Sequence, residues 1–125
     1  MKSFNRVMLI GHLASDPELR ETSNGNRVVN FPVAINRFVK NSEGQKSEAV
    51  DFHRIVAWGG LAQICSDYLS KGQAVCVDGR LVNKSFDDKD GNKHYRTEIV
   101  AEDLSILTWK KSEKGGEVEI KAMAA

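Results

Sequence analysis

The stretch Val50 to Trp58, Val-Asp-Phe-His-Arg-Ile-Val-Ala-Trp, interleaves aromatic side chains with a cation. Read as a β-strand, its period of two puts Val50, Phe52, Arg54, Val56 and Trp58 on one face. Asp51, His53, Ile55 and Ala57 fall on the other. The first face suits two tasks. Burying a phenylalanine contributes about 1.5 to 3 kcal/mol, whereas stacking one nucleic-acid base on an aromatic contributes a similar ~1 to 3 kcal/mol. Energy alone does not separate a core face from a binding face. Arg54 weighs toward binding, because a guanidinium inside a packed core needs a full set of partners or carries a heavy desolvation cost. On a surface that takes nucleic acid, the same alternation supplies stacking planes and a phosphate contact.

Two further aromatics sit beside cations. Phe38 lies between Arg37 and Lys40 at the end of an alternating run, and Phe86 follows Lys84 just before a turn. Phe38 reads equally well as a second stacking site or as an aromatic that caps one end of the fold. The other chemistry-bearing residues form no constellation. His12, His53 and His94 share no metal-ligand spacing with Cys65 or Cys76, so no metal or other cofactor is expected. Both cysteines read as small buried residues. Asp87 to Asn92 resembles a calcium loop only superficially. Counting back from Gly91 puts Phe86 where the first acidic ligand is needed, and no glutamate closes the loop. It reads as a hairpin turn.

The elements that carry these residues are legible in order. Asn5 to Leu13 is an extended run, apolar on both faces, as in a curved barrel or a subunit contact, and Gly11 allows a bend or the close approach of another backbone. Asp16-Pro17 signals a turn, and a polar stretch then leads to Asn24-Gly25, which supplies the positive φ of a tight hairpin. Arg27 to Asn36 alternates Val29, Phe31, Val33 and Ile35 against Val28, Asn30, Pro32 and Ala34. Pro32 there lacks a ladder donor and marks an edge or bulge. Asn41 to Ala49 is a polar loop before the Val50–Trp58 strand. Gly59-Gly60 breaks the extended pattern. Leu61, Ile64, Cys65, Tyr68 and Leu69 then recur at helical spacing, with Tyr68 read as core and Gly72 as the C-terminal cap. Val75 to Phe86 forms a fourth strand and Lys93 to Ala101 a fifth, followed by an extended segment through Leu104, Ile106 and Leu107 to Trp109. Beyond it, Gly115-Gly116 reads as a hinge and Glu117 to Lys121 as an isolated strand.

Three strands, one short helix and two strands is the element order of an all-β, five-stranded OB-fold Greek-key barrel, with the helix between strands three and four. The 125 residues suffice for one such domain, expected over residues 1–108, with a short tail at 109–125. No apolar run is long enough to cross a bilayer, no signal-peptide core opens the chain, and a cytosolic protein is expected. A net charge of +1 argues against a polyanion binder that works by bulk field. Any nucleic-acid site must arise from local placement.

The chain resembles the bacterial single-stranded DNA-binding proteins over nearly all of residues 1–108. The resemblance rests on Asn5-Arg-Val-Met-Leu-Ile-Gly-His-Leu13, Asp16-Pro-Glu-Leu-Arg20, Asn24-Gly25, Phe52-His-Arg-Ile-Val56, Leu61-Ala62, Tyr68-Leu-Ser-Lys-Gly72 and Val77-Asp-Gly-Arg-Leu81. It is the order and spacing of these pieces together that is specific. Such proteins are the reference case for sequence-tolerant stacking in a basic groove. The resemblance implies a non-enzymatic protein that coats and protects single-stranded DNA during replication, recombination and repair. It carries base stacking onto Phe38, Phe52, Trp58 and Phe86, although this chain has phenylalanine where the family often has tryptophan, and Trp58 where phenylalanine is common. Nearby cations, Arg6, Arg37, Arg54, Lys71, Lys84 and Arg96, are candidates for phosphate contacts, each with solvated surface charge as its alternative.

The resemblance further implies a homotetramer, with the position of His53 at the subunit interface. Without it, His53 reads as a hydrogen-bonded barrel histidine. The family usually ends in a Gly, Pro and Gln-rich linker and an acidic tip that recruits replication and repair proteins. Here the sequence stops at Lys121-Ala-Met-Ala-Ala125, which leaves a shortened chain or a minimal, mobile-element-borne member as readings and puts tail-mediated recruitment in doubt. Competing functions are a protein-docking OB module, an RNA chaperone and a nuclease. The last lacks a Walker loop, a nucleophile elbow and any acidic cluster outside Asp87 to Asp90.

Overall fold

The computed structural model describes residues 1–108, so the segment holding Trp109, the Gly115-Gly116 pair and Glu117 to Lys121 lies outside the described residues. Six strands and one helix follow in order: β1 (Val7–Leu13), β2 (Glu18–Glu21), β3 (Arg27–Lys40), β4 (Lys46–Trp58), α1 (Gly59–Tyr68), β5 (Ala74–Asp87) and β6 (Lys93–Ile106). They form one sheet in the order β1-β5-β6-β4-β3-β2, and a second pairing of β1 with β3 closes it. The five long strands make the expected barrel. The sequence reading missed β2; among the five barrel strands the helix lies, as expected, between the third and the fourth. Glu18–Glu21 is exposed throughout, so no hydrophobic alternation marks it; its backbone pairs with Asn30 to Arg27 of β3.

Alternation decides which residues fill the barrel. Val29, Phe31 and Val33 of β3, Ile55 and Ala57 of β4, Val75 and Val77 of β5, and Ile99, Leu104 and Ile106 of β6 are buried together with Leu13. Helix α1 adds Ala62 and Cys65 to this core. Pro32 sits where the outer edge of β3 passes from β2 to β1. Its carbonyl accepts the Ala14 N–H at 3.0 Å, so the donor it lacks also faces that gap.

β1 is apolar on both sides; one side is covered within the barrel, and Met8 and Ile10 on the other are 61% and 62% exposed. Several other expectations give way. The polar loop after β3 shrinks to residues 41–45, because the β3–β4 ladder continues from Asn36↔Val50 out to Lys40↔Lys46. Asn41 organises that turn by accepting the N–H groups of Glu43 and Gln45 at 3.0 and 2.8 Å. The last strand runs unbroken to Ile106. Tyr68 is half exposed rather than core. Gly72 does not cap the helix, which ends when Leu69 N–H bonds Cys65 carbonyl oxygen at 3.0 Å; Gly72 instead turns the chain with a φ of 95° and donates to Leu13. Cys76 is only partly buried. Burial pushes the Cys65 thiol up to about 12, which keeps it protonated and unreactive.

Two glycines permit the barrel's close approaches. A Cβ on Gly11 would fall against the Ala34 carbonyl oxygen, and one on Gly79 against the Val100 carbonyl oxygen, where the β5–β6 register slips by one residue. Both neighbours are backbone and cannot swing aside. Replacing Gly79 with alanine is expected to destabilise the protein by about 1 to 3 kcal/mol, read as a lower urea midpoint at unchanged slope. A midpoint equal to that of the parent protein would show that the bulge accommodates a methyl group.

Candidate nucleic-acid interface

The barrel's outer surface carries one continuous face across β4, β6 and β5. Antiparallel pairing sets Lys84 opposite Arg96 and Phe86 opposite His94, and the parallel pair Val56↔Val100 aligns β4 beside β6. Phe52, Arg54, Val56 and Trp58 therefore share a side with His94, Arg96 and Glu98, and with Lys84 and Phe86. Phe52 is 65% exposed, Trp58 and Phe86 are about half exposed, and Val56 is buried beneath them. The first face of the Val50–Trp58 strand points outward, and its opposite face supplies Ile55 and Ala57 to the core. Phe38 lies further along the β3–β4 arm, four register pairs beyond Ala34↔Phe52 and on the same side. It is exposed and lines an open hollow with Val39, Lys40 and Lys46.

Three of the six candidate cations meet at one point. Glu98 is buried, and its carboxylate receives Arg54 Nε at 2.7 Å, Lys84 Nζ at 3.2 Å and Arg96 Nε at 3.4 Å. Oε2 accepts the aligned hydrogen bond from Arg54, while Oε1 has the Lys84 ammonium as its neighbour but no hydrogen bond of good geometry. Burial by itself would push the Glu98 pKa up, but Lys84 and then Arg54 outweigh it and hold the carboxyl below its ordinary value. Arg96 also reaches over Phe86, with its guanidinium carbon 5.3 Å from the ring centroid. The His94 ring stacks on Phe86 at 5.3 Å with an interplanar angle of 21°, and His94 Nε2 stands 2.7 Å from Asp88 Oδ2. That hydrogen bond, with the Asn92 N–H, draws the Asp88 carboxyl down.

The other three cations stand elsewhere. Arg37 falls on the opposite side of β3 from Phe38, where it pairs with Asp51 at 2.8 Å. Arg6 makes a two-pronged contact with Asp78, at 3.0 and 2.7 Å, on the β1–β5 side. That contact lowers the Asp78 pKa. Lys71 lies in the turn after α1, anchored by its own N–H to Asp16 at 2.7 Å, with its side chain exposed. His53 faces the Ile55 side of β4 opposite Val33 and is half buried; among the described residues its ring makes no hydrogen bond, so the barrel-histidine alternative loses its partner. Among the described residues no cluster of His, Cys, Asp or Glu has metal-binding geometry, and no helix is long and apolar enough to cross a membrane.

A family model described as "Single-strand binding protein family" matches residues 4–107. The chain belongs to this family. Its members bind single-stranded DNA and are not enzymes. Single-stranded DNA-binding protein 1 of Chlorobaculum tepidum is 52% identical over 115 residues, spanning 91% of this chain and 71% of the relative. Single-stranded DNA-binding protein 1 of Xylella fastidiosa is 40% identical, over 86% of this chain and 79% of its own. Among solved structures, a Plasmodium falciparum SSB complex with ssDNA superposes with a TM-score of 0.79 at 29% identity, covering 86% of this chain and 97% of that one. A deletion mutant of the Thermus aquaticus single-stranded DNA binding protein gives a TM-score of 0.72 at 30% identity, over 92% of this chain and 54% of that one.

The residue that sequence reasoning missed in this family member is Glu98. Alternation along β6 puts it on the side of His94 and Arg96, but an acidic residue among candidate phosphate contacts attracts no role from sequence alone. Its lowered pKa has a defined consequence for stability. Glu98 stabilises the fold above the ordinary glutamate value of 4.5, and that stabilisation is lost as pH falls through the lower native value. Thermal melts from pH 7 to pH 3 should therefore fall on the acid side, and Glu98→Gln should lose less on acidification than the parent. Parallel acid limbs in the two proteins would assign the loss to Asp78, Asp88 and other carboxylates instead.

Proposed function

We propose that the protein binds single-stranded DNA without sequence preference, coating and protecting it during replication, recombination and repair. The observation that carries this reading is the single outward face on which exposed Phe52, Trp58 and Phe86 surround the Arg54, Lys84 and Arg96 cluster. Bases stack on the aromatics regardless of identity, since every base has a π-face, and the cations take the intervening phosphates. Phe38 extends the stacking path along the β3–β4 arm. Arg37, Arg6 and Lys71, which face other surfaces, contribute to the path of a strand that wraps the molecule rather than to this face. Residues 1–108 are the DNA-binding unit and 109–125 a tail.

The working form is a homotetramer in the bacterial cytoplasm, associated with the nucleoid. Exposed Met8 and Ile10 on β1 support assembly, because large apolar side chains on the stretch of β1 that pairs with β5 alone gain by being covered. His53 is the histidine assigned to a subunit contact.

Fluorescence titration with poly(dT), poly(rU) and duplex DNA at two salt concentrations, with mass determined in parallel, tests the proposal. Tight binding to poly(dT) by a tetramer, little affinity for duplex, and a log–log salt slope of about −0.7 per phosphate contact are expected. Phe52→Ala and Trp58→Ala should each weaken poly(dT) binding by ~1 to 3 kcal/mol, a range known from proteins of this kind. Equal affinity for poly(rU) would make the protein a general single-strand binder. Weak binding to all three would turn the aromatic face into a surface for a protein partner.

A further inference from the structure

We infer that Glu98 is the positioning residue of the DNA-binding face, a buried carboxylate that holds Arg54, Lys84 and Arg96 in the arrangement that receives phosphates. The inference rests on the proposed single-strand binding and adds to it a residue that touches no nucleic acid. Its basis is geometric. The three cations come from three strands, β4, β5 and β6, and among the described residues only Glu98 touches all of them, at 2.7, 3.2 and 3.4 Å. Its side chain is 3% exposed, so a strand of DNA lying on the face meets the cations and not the anion beneath them.

Without that anion, three like charges within one patch repel and their long side chains spread into solvent. Each then has to be ordered again when DNA arrives, at a cost of roughly a factor of two to ten in affinity per side chain. The arrangement also reaches the aromatics, because Arg96 lies over Phe86 while it contacts Glu98. One carboxylate thus sets the cations and one stacking surface together. The local balance of three cations against one carboxylate still leaves the patch net positive.

A purely electrostatic view predicts the reverse result. Removing a negative charge beneath a DNA-binding face should tighten binding, and it should do so at any nearby glutamate. Glu102 provides the control, since it is exposed and pairs with Arg80 at 3.6 Å. Poly(dT) titrations of Glu98→Gln and Glu102→Gln across a salt series separate the two. Glu98→Gln is expected to lose about tenfold in affinity, with a salt slope shallower by roughly 0.7 for each cation that no longer meets a phosphate. Glu102→Gln is expected to bind as the parent does or slightly tighter. Glu98→Gln binding as tightly as Glu102→Gln, with an unchanged or steeper slope, overturns the inference while leaving single-strand binding intact. Failure of the parent protein to bind poly(dT) would instead remove the reading beneath it.

Should Glu98→Gln not keep the parent's mass and circular dichroism, Arg54→Gln, Lys84→Gln and their double variant decide. Independent contacts multiply to within about twofold. Cations held by one carboxylate do not, and the double variant is expected to lose at least threefold less than the product of the single losses. Multiplicative losses overturn the inference.

Discussion

Closure of the barrel is the constraint on which the rest depends. β1 is bonded to β5 along most of its length and to β3 through His12↔Ala34 and Leu13↔Val33. That second pairing turns an open sheet into a barrel and brings two backbones close at Gly11, while the slipped β5–β6 register brings two more together at Gly79. A closed sheet has an inside and an outside. Period-two alternation then becomes a statement about function, because every strand residue not needed for the core is presented to solvent on a rigid frame.

The two long hairpins exploit what closure leaves over. The β3–β4 ladder continues past the barrel to Lys40↔Lys46, and the β5–β6 ladder to Asp87↔Lys93. Beyond the rim there is no interior to fill, so both faces of each arm are exposed, and large aromatics there cannot be explained as core. Phe38 and Phe86 stand on those arms, whereas Phe52 and Trp58 sit on the barrel wall between them. A row of exposed aromatics on one side of paired strands is costly to leave bare in water. Its presence on a well-packed barrel is what supports the proposed stacking of flat apolar bases.

Most of this was legible in the residues. Alternation in Arg27 to Asn36 and in Val50 to Trp58 gave the correct inner and outer faces, and Asn24-Gly25 and Asp87 to Asn92 gave the turns. What escaped depended on partners that sequence periodicity does not encode. β2 is a strand only because β3 offers it an edge. The loop after β3 shortened because Ser47 and Glu48, polar and unpatterned, still ladder with Val39 and Phe38. Tyr68 has helical spacing with Leu61 and Cys65, but the helix buries only a narrow stripe, Ala62 and Cys65, and leaves the ring half outside.

The sharpest contrast lies between Arg37 and Arg54. Both were candidates on the same grounds, a cation within two residues of an aromatic in a strand. Adjacency in sequence, however, puts neighbours on opposite faces, so Arg37 beside Phe38 is carried to the far side and satisfied by Asp51. Arg54, two residues from Phe52, shares its face and meets Glu98. A chain of net charge +1 has no bulk field with which to gather a polyanion. Its cations gather at one patch through register, and parity along a strand decides that Arg54 joins the Glu98 cluster while Arg37 does not.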